Sequence, residues 1–493
     1  MPDRPRFLSL LLAAIVAALQ FAATRLPAED TKRLTADQRS NRLESEVNRF
    51  FQPLVDRQWA SGLVVGVIDE RGPRIFGFGR KADDKQEAPD GDTVFEIGSV
   101  TKVFTGTLLA DMVERGLLSV DDPVNKFLPD DIGPLKRGDR EMRLIDLATH
   151  TSGLPRMPGN WSPKDMDEPY VDYTTENLFD FLREQAKPSV LRSVGKSLGS
   201  LFRTSDEPKW EYSNLGVGLL GTLLARKADQ PYEDLVLDRI CRPLGMTSTR
   251  LTPDESMIGR LIPGHDADGK PVNNWPWACL APCGGLRSTA NDMLKFVAAN
   301  LELTDTPLKP AFERAQRHYY AVNDNLDMGL NWLLPKSGLV FHNGMTGGYN
   351  SFVAFSKTDK FGLVVLADTT IGGTGGLLDR VAMSFIRAVT EGKPREPPLI
   401  RATAPIDAAL LQKYAGKYSL IPLVSTFTIT SEDNKLYAQL TGQPSIRIYP
   451  ESETDFFYKV VDARLTFESD TDGNVTRLIL HQNGKDLPAA REK

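Results

Sequence analysis

Ser99 stands three residues before Lys102 in the stretch Phe95-Glu96-Ile97-Gly98-Ser99-Val100-Thr101-Lys102. The local pattern predicts an extended segment that turns into a helix. Residues i and i+3 share one helix face, so the hydroxyl and the amine can share one pocket. A hydroxyl is a poor nucleophile until a neighbour takes its proton. A desolvated amine can be that neighbour, because burial disfavours the ammonium form. A helix N-terminus also offers unpaired backbone N–H groups to an oxyanion. The plainer reading of the same residues is a cap serine with an exposed lysine in the first turn.

Two further segments carry groups that could complete such a site. Trp210-Glu211-Tyr212-Ser213-Asn214-Leu215-Gly216 places a Tyr-x-Asn before an apolar helix. A phenol beside ammonium groups can act as a general base. The Asn214 amide can donate to a substrate carbonyl and accept from Lys102. Phe341-His342-Asn343-Gly344-Met345-Thr346-Gly347-Gly348-Tyr349 reads as an edge-like strand whose glycines allow close approach of a ligand to the backbone. His342 would face the pocket, and the Met345 N–H would join that of Ser99 around an oxyanion. A buried tyrosine with a cap asparagine, and a glycine-rich turn with a surface histidine, are the structural alternatives.

These groups lie far apart in sequence, so the elements between them must bring them together. An amphipathic helix with Leu43, Val47, Phe50, Phe51 and Val55 on one face comes first. A hairpin follows, Leu63 to Asp69 and Arg74 to Gly79 around Glu70-Arg71-Gly72-Pro73. The helix behind Ser99 runs from about Lys102 to Glu114 and stops at Gly116. Residues 117–330 are mainly helical. Strand character returns at Gly338–His342, Ser351–Ser356 and Gly362–Ala367, and Leu377–Val389 closes with a helix. Strands at both ends of one domain flanking a helical insert predict an α/β domain with an all-helical lobe over residues 40–390. Residues 391–406 read as a proline-rich linker. Residues 407–493 hold seven short strand-like runs separated by turns, the pattern of a small antiparallel barrel or sandwich.

Composition narrows the context. The chain has 493 residues, 41% hydrophobic and 25% charged, with net charge −6. That is globular and acidic, with no basic footprint for nucleic acid. Arg4 and Arg6 precede an apolar run from Phe7 to Leu19, so residues 1–28 read as a secretory signal and the location as periplasmic or secreted. An uncleaved anchor is the only membrane link this allows. Cys241, Cys279 and Cys283 read as small buried residues rather than bridges, since a Cys279–Cys283 link would close a small loop. The five histidines show no metal-ligand spacing, and no cofactor is expected.

Taken in order, the nucleophile pair, the Tyr-x-Asn and the strand triplet resemble the serine β-lactamase and penicillin-binding-protein superfamily. The nearest likeness is the class C β-lactamase-like group, with its D-Ala-D-Ala carboxypeptidases and esterases. The stretches Leu144–Pro155, Arg242–Thr249 and Gly284–Ala290 are similar as well. The resemblance implies a two-lobed β-lactamase/transpeptidase-like domain. It implies Ser99 as acylated nucleophile, Lys102 and Tyr212 as proton carriers, and Asn214, His342, Asn343 and Gly344 as substrate contacts. The oxyanion N–H groups would be those of Ser99 and Met345. His150 and Ser152 are expected to be structural. The triplet departs from the usual Lys-Thr/Ser-Gly, and His342 lacks the fixed charge of that lysine. The expected partner is a small-molecule or peptide substrate, with peptidoglycan as one source. The chemistry is acyl-enzyme cleavage of D-Ala peptides, β-lactams or short esters. The alternative is a non-catalytic penicillin-binding or cell-wall sensor protein. The aromatic residues of Trp161–Tyr173 and Trp275–Trp277 are candidates to line the cleft or to pack the lobe.

Overall fold

Along the strand Gly62–Asp69, Leu63, Val65 and Val67 face one apolar core, and Val64 and Ile68 face another. Successive side chains on a strand must point to opposite faces. Both faces are covered here, so the run is apolar throughout. The computed structural model describes residues 33–82, 86–137, 139–187, 209–372, 375–392, 394–420 and 425–492. The leader expected at 1–28 lies outside the described residues.

This strand belongs to an eight-stranded antiparallel sheet. The order is Gly72–Gly79, Gly62–Asp69, Phe361–Ala367, Asn350–Ser356, Val340–Met345, Leu333–Pro335, Leu326–Met328, Tyr320–Asn323. The sheet thus joins residues near 70 to residues near 340. One face carries the helices Ala36–Asp56 and Leu377–Thr390, where Phe385 meets Phe50 and Phe51 with ring centroids 5.8 and 5.2 Å apart. The other face carries the helical lobe, including Thr101–Glu114, Asn214–Ala228 and Ala290–Asn300. The architecture is the two-lobed arrangement expected from the sequence.

Three details differ from that expectation. The first hairpin turns on Glu70-Arg71 alone, and Gly72 and Pro73 already pair with Asp69 and Ile68. Pro73 is tolerated because its strand is the sheet edge. The strand Val340–Met345 is not an edge. It pairs along its length with Asn350–Ser356 and, at Phe341, with Leu333 on the other side. Finally, the described residues behind the helix Ala408–Tyr414 form a closed barrel of eight strands between Gly416 and Arg491, one more than the seven runs legible in the sequence. The missing strand is Lys485–Arg491, whose charged ends and Pro488 hide its pattern. The barrel is packed on Tyr418, Phe456, Leu465, Phe467 and Leu478. Residues 394–406 carry no helix or strand but lie against the first helix: Ile400 is buried, and the Arg401 carbonyl accepts from Trp59 Nε1 at 2.7 Å. All three cysteines are free thiols.

Candidate active site

Ser99 sits in a single 3-10 turn, Gly98–Val100, that runs into the helix Thr101–Glu114. Gly98 takes φ +49°, and a Cβ there would lie 2.7 Å from the Met345 nitrogen. A Cβ on Gly344 would lie 2.1 Å from the Ile97 carbonyl oxygen and 3.0 Å from the Ser99 nitrogen. Only glycine fits either place. The turn and the strand Val340–Met345 therefore touch backbone to backbone, with the Ser99 and Met345 amide nitrogens at the same junction. Ser351 Oγ donates to the Ile97 carbonyl at 2.7 Å and holds the turn to the sheet.

Beneath the turn lies a buried ion pair. Glu96 Oε1 accepts from Arg287 Nη2 at 3.0 Å, from the Trp275 N–H at 3.0 Å and from Asn274 Nδ2 at 3.3 Å. Burial raises the Glu96 carboxyl above its usual range, against the pull of Arg287. The sequence offered no sign of this brace.

Lys102 is fully buried. Its Nζ donates to Ser99 Oγ at 2.9 Å and to the Cys283 carbonyl at 2.5 Å. Among the described residues no carboxylate pairs with it. Thr105 Oγ1 donates to the Pro282 carbonyl at 2.8 Å, and Thr101 Oγ1 accepts from the Leu286 N–H at 3.0 Å. One stretch, 282–286, thus seats three side chains of the nucleophile helix. Lys102 is held as a short, oriented hydrogen-bond partner of the serine, not as an exposed first-turn cation.

Tyr212 arrives from the segment before the helix Asn214–Ala228, which Ser213 caps by accepting from the Gly216 N–H at 2.8 Å. Lys102 Nζ lies 4.9 Å from the Tyr212 ring centroid and Arg156 Cζ 5.2 Å from it. His150 stacks on the same ring, centroids 4.5 Å apart at 29°. His150 has a left-handed backbone, φ +58°, uncommon for a residue with a side chain. Its Nδ1 accepts from the Ser213 N–H at 3.1 Å, so the ring proton sits on Nε2, a buried atom without a partner. Burial first, then Lys102, His342 and Arg156, hold this imidazole well below its ordinary pKa.

His342 is buried on the helical-lobe side of its strand, and burial together with the Lys102 charge pushes its pKa down to about 3. It is a neutral group in the cleft at physiological pH. Asn214 Nδ2 contacts Met157 Sδ at 3.7 Å, and Asn214 Oδ1 is buried without a partner. Asn343 was also expected to touch substrate. Its side chain points to the opposite face of the sheet, where Nδ2 donates to Asp379 Oδ2 at 2.6 Å. Strand alternation makes this unavoidable once His342 faces the cleft. The Asn343 side chain is therefore a support behind the strand, not a substrate contact.

The aromatic segments pack on each other beside the site. Tyr170 lies parallel to Trp277 at 4.0 Å and close to Trp275 at 5.2 Å. Trp275 abuts Gly347, just beyond the triplet strand. They pack on one another and against the helical-lobe core. Among the described residues no three His, Cys, Asp or Glu side chains group to hold a metal ion.

A buried amine hydrogen-bonded to an alcohol at a helix start, a phenol over that amine, and two backbone amides at a glycine junction are the parts of a serine acyl-transfer site. The family model described as Beta-lactamase matches residues 47–385. The chain belongs to the beta-lactamase family. As a member it is a serine hydrolase of the β-lactamase and DD-peptidase type. A second model, described as Domain of unknown function (DUF3471), matches residues 401–491. Among its relatives is a protein named Beta-lactamase from Pseudomonas fluorescens, 27% identical over 65% of this chain and 92% of that protein. Penicillin-binding protein 4* of Bacillus subtilis is 24% identical over 90% of this chain and 98% of its own length, so that likeness includes the barrel. Among solved structures, the D-alanine carboxypeptidase AmpC from Burkholderia cenocepacia aligns with TM-score 0.57 and 26% identity, covering 71% of this chain and 99% of that one.

Proposed function

We propose that this chain is an exported serine hydrolase that forms an acyl-enzyme on Ser99 and cleaves amide or ester bonds of the D-Ala-peptide or β-lactam kind. The observation that supports this best is the 2.9 Å hydrogen bond from Lys102 Nζ to Ser99 Oγ, with the Tyr212 ring 4.9 Å from the same nitrogen. Ser99 Oγ attacks the carbonyl carbon. Its proton passes into the Lys102–Tyr212 pair, and the developing oxyanion lies against the Ser99 and Met345 N–H groups. The proton then goes to the leaving amine or alcohol. Water attacks the acyl-enzyme with the same pair as base and restores Ser99. Asn214 is the substrate-orienting amide, and neutral His342 contributes shape and a ring nitrogen to the cleft. Export is supported by the sequence of residues 4–19.

The test is intact-mass detection of a Ser99 adduct with penicillins, D-Ala-D-Ala peptides and p-nitrophenyl esters, alongside turnover of each. An adduct that forms and decays on wild type and is absent from Ser99→Ala is the expected result. Undiminished turnover by Ser99→Ala would end the proposal. A stoichiometric adduct that never turns over would replace the enzyme with a penicillin-binding sensor.

A further inference from the structure

Arg156 has no place in the mechanism above, yet it stands inside the same cluster. It follows directly on the stretch Leu144–Pro155 and is half-buried. Its Cζ lies 5.2 Å from the Tyr212 ring centroid. Its backbone carbonyl accepts from the Asn214 N–H at 3.0 Å and the Leu215 N–H at 3.1 Å, which fixes it beside the substrate-orienting asparagine. Its Nε is cut off from water and has no hydrogen-bond partner, and among the described residues no carboxylate pairs with it.

A guanidinium is always charged and presents a fork of donors suited to a carboxylate. Half-burying one without a counter-charge is unfavourable unless a partner arrives. Lys102, the other cation of this cluster among the described residues, is engaged with Ser99 and the Cys283 carbonyl, and Asn214 brings an amide without charge. Neither imidazole supplies a charge, since burial keeps His150 and His342 neutral. Glu96, the acid described beneath the site, is taken by Arg287. A chain of net charge −6 thus keeps a positive cleft, a field that attracts anions.

We infer that Arg156 is a specificity-determining residue: its unpaired guanidinium receives a carboxylate of the substrate, on the acyl half or on the leaving-group half. This rests on the proposed acyl-enzyme reaction at Ser99. The triplet position carries no cation in this chain, and Arg156 supplies one from a different loop.

The experiment uses two matched substrate pairs. In one, an aryl ester carries either a free acyl-side carboxylate or its methyl ester. In the other, a D-Ala depsipeptide carries a free or an amidated C-terminus. kcat/KM is measured on wild type, Arg156→Gln and Arg156→Lys, with thermal midpoints as a check on folding. Wild type is expected to prefer the charged member of at least one pair. Arg156→Gln should lower that charged-to-neutral ratio about ten- to a hundredfold, the scale of one charge-assisted bond. Arg156→Lys should recover part of the ratio, because it keeps the charge and loses the fork. The pair that responds tells which half bears the carboxylate. If both rates fall together and both ratios stand, Arg156 only packs against Tyr212 and the inference is wrong. Unchanged rates in both pairs overturn it as well. Wild type that neither forms an adduct nor turns over any substrate brings down the hydrolase reading itself, an outcome visible without any Arg156 variant.

Discussion

In the proposed mechanism Lys102 takes the serine proton, and its burial makes a two-sided prediction. Replacing it with methionine removes the group that takes the serine proton. Such proton transfer is worth roughly 10²–10⁴ in rate, so kcat should fall by at least about a hundredfold. Stability should hold or rise, because a hydrophobe replaces a buried amine with no carboxylate partner. Turnover close to wild type in Lys102→Met would remove Lys102 from the mechanism. His342 carries a pH signature. Its folded pKa of about 3 lies below the unfolded value near 6.5, so the unfolded chain binds the extra proton between those limits. Stability contributed by the neutral ring is present above pH 6.5 and is lost as pH falls toward 3. His342→Gln should remove that contribution, so its thermal midpoint should gain on that of wild type as pH falls from 7 to 4, and a constant difference between the two would contradict the assignment. The grouping of Ser99, Lys102 and Tyr212 was legible in the sequence because each sits in a motif of fixed spacing. Arg156 and His150 were not legible as parts of the cluster, since nothing local says that their loop folds over Tyr212. The side chain of Asn343 was misplaced for a reason the sequence does contain: adjacent residues on a strand cannot both face the cleft.

At the level of elements, the strand Val340–Met345 is held from behind. Asp379, on the helix Leu377–Thr390, accepts from Asn343 Nδ2 at 2.6 Å and from the Gly375 N–H at 2.7 Å. Burial pushes this carboxyl up to about 7, with Gly375, Asn343 and Arg380 pulling the other way. The folded chain therefore holds a proton there that the unfolded chain releases above about 3.8. The stabilising contribution is complete below that value and is lost as pH rises through 7. Its slope opposes that of His342, so the two nearly hide each other in wild type and separate only in variants. Asp379→Asn should reduce the loss of thermal stability between pH 5 and 8. Asp379→Leu leaves the buried Asn343 amide unpaired, at about 1–3 kcal/mol, and should lower kcat by loosening the strand that carries the Met345 N–H. If Asp379→Leu leaves both midpoint and kcat unaltered, the brace is not what holds the strand. Strands packed on two apolar cores were readable to within a residue or two, as with Phe361–Ala367. The last barrel strand was not, although Asn483-Gly484, both at positive φ, announces the hairpin that makes it.

For the molecule as a whole, the barrel is docked rather than tethered. Trp59, at the end of the first helical segment, donates to the Arg401 carbonyl and stacks on Phe457 of the barrel at 5.8 Å and 20°. Lys459 Nζ reaches the Gln58 carbonyl at 2.7 Å and lies over the Tyr449 ring at 4.7 Å. Tyr449 Oη donates to the Ala267 carbonyl at 2.9 Å, and Arg447 pairs with Asp268 at 2.8 Å. Tyr449 and Phe457 belong to the same apolar cluster as the helices behind the sheet. A seam built from aromatic stacking and buried polar contacts couples the two units, so wild type should unfold in one calorimetric transition. Trp59→Ala opens a cavity at the centre of that seam. Large aromatic truncations of this kind cost about 3–5 kcal/mol, and here the loss falls on the coupling between units. The expected result is a lower first midpoint and a second, separate transition from the barrel, whose own core of Tyr418, Phe456 and Phe467 is untouched. A single transition at the wild-type temperature would mean that the barrel rides on the catalytic domain without sharing its stability.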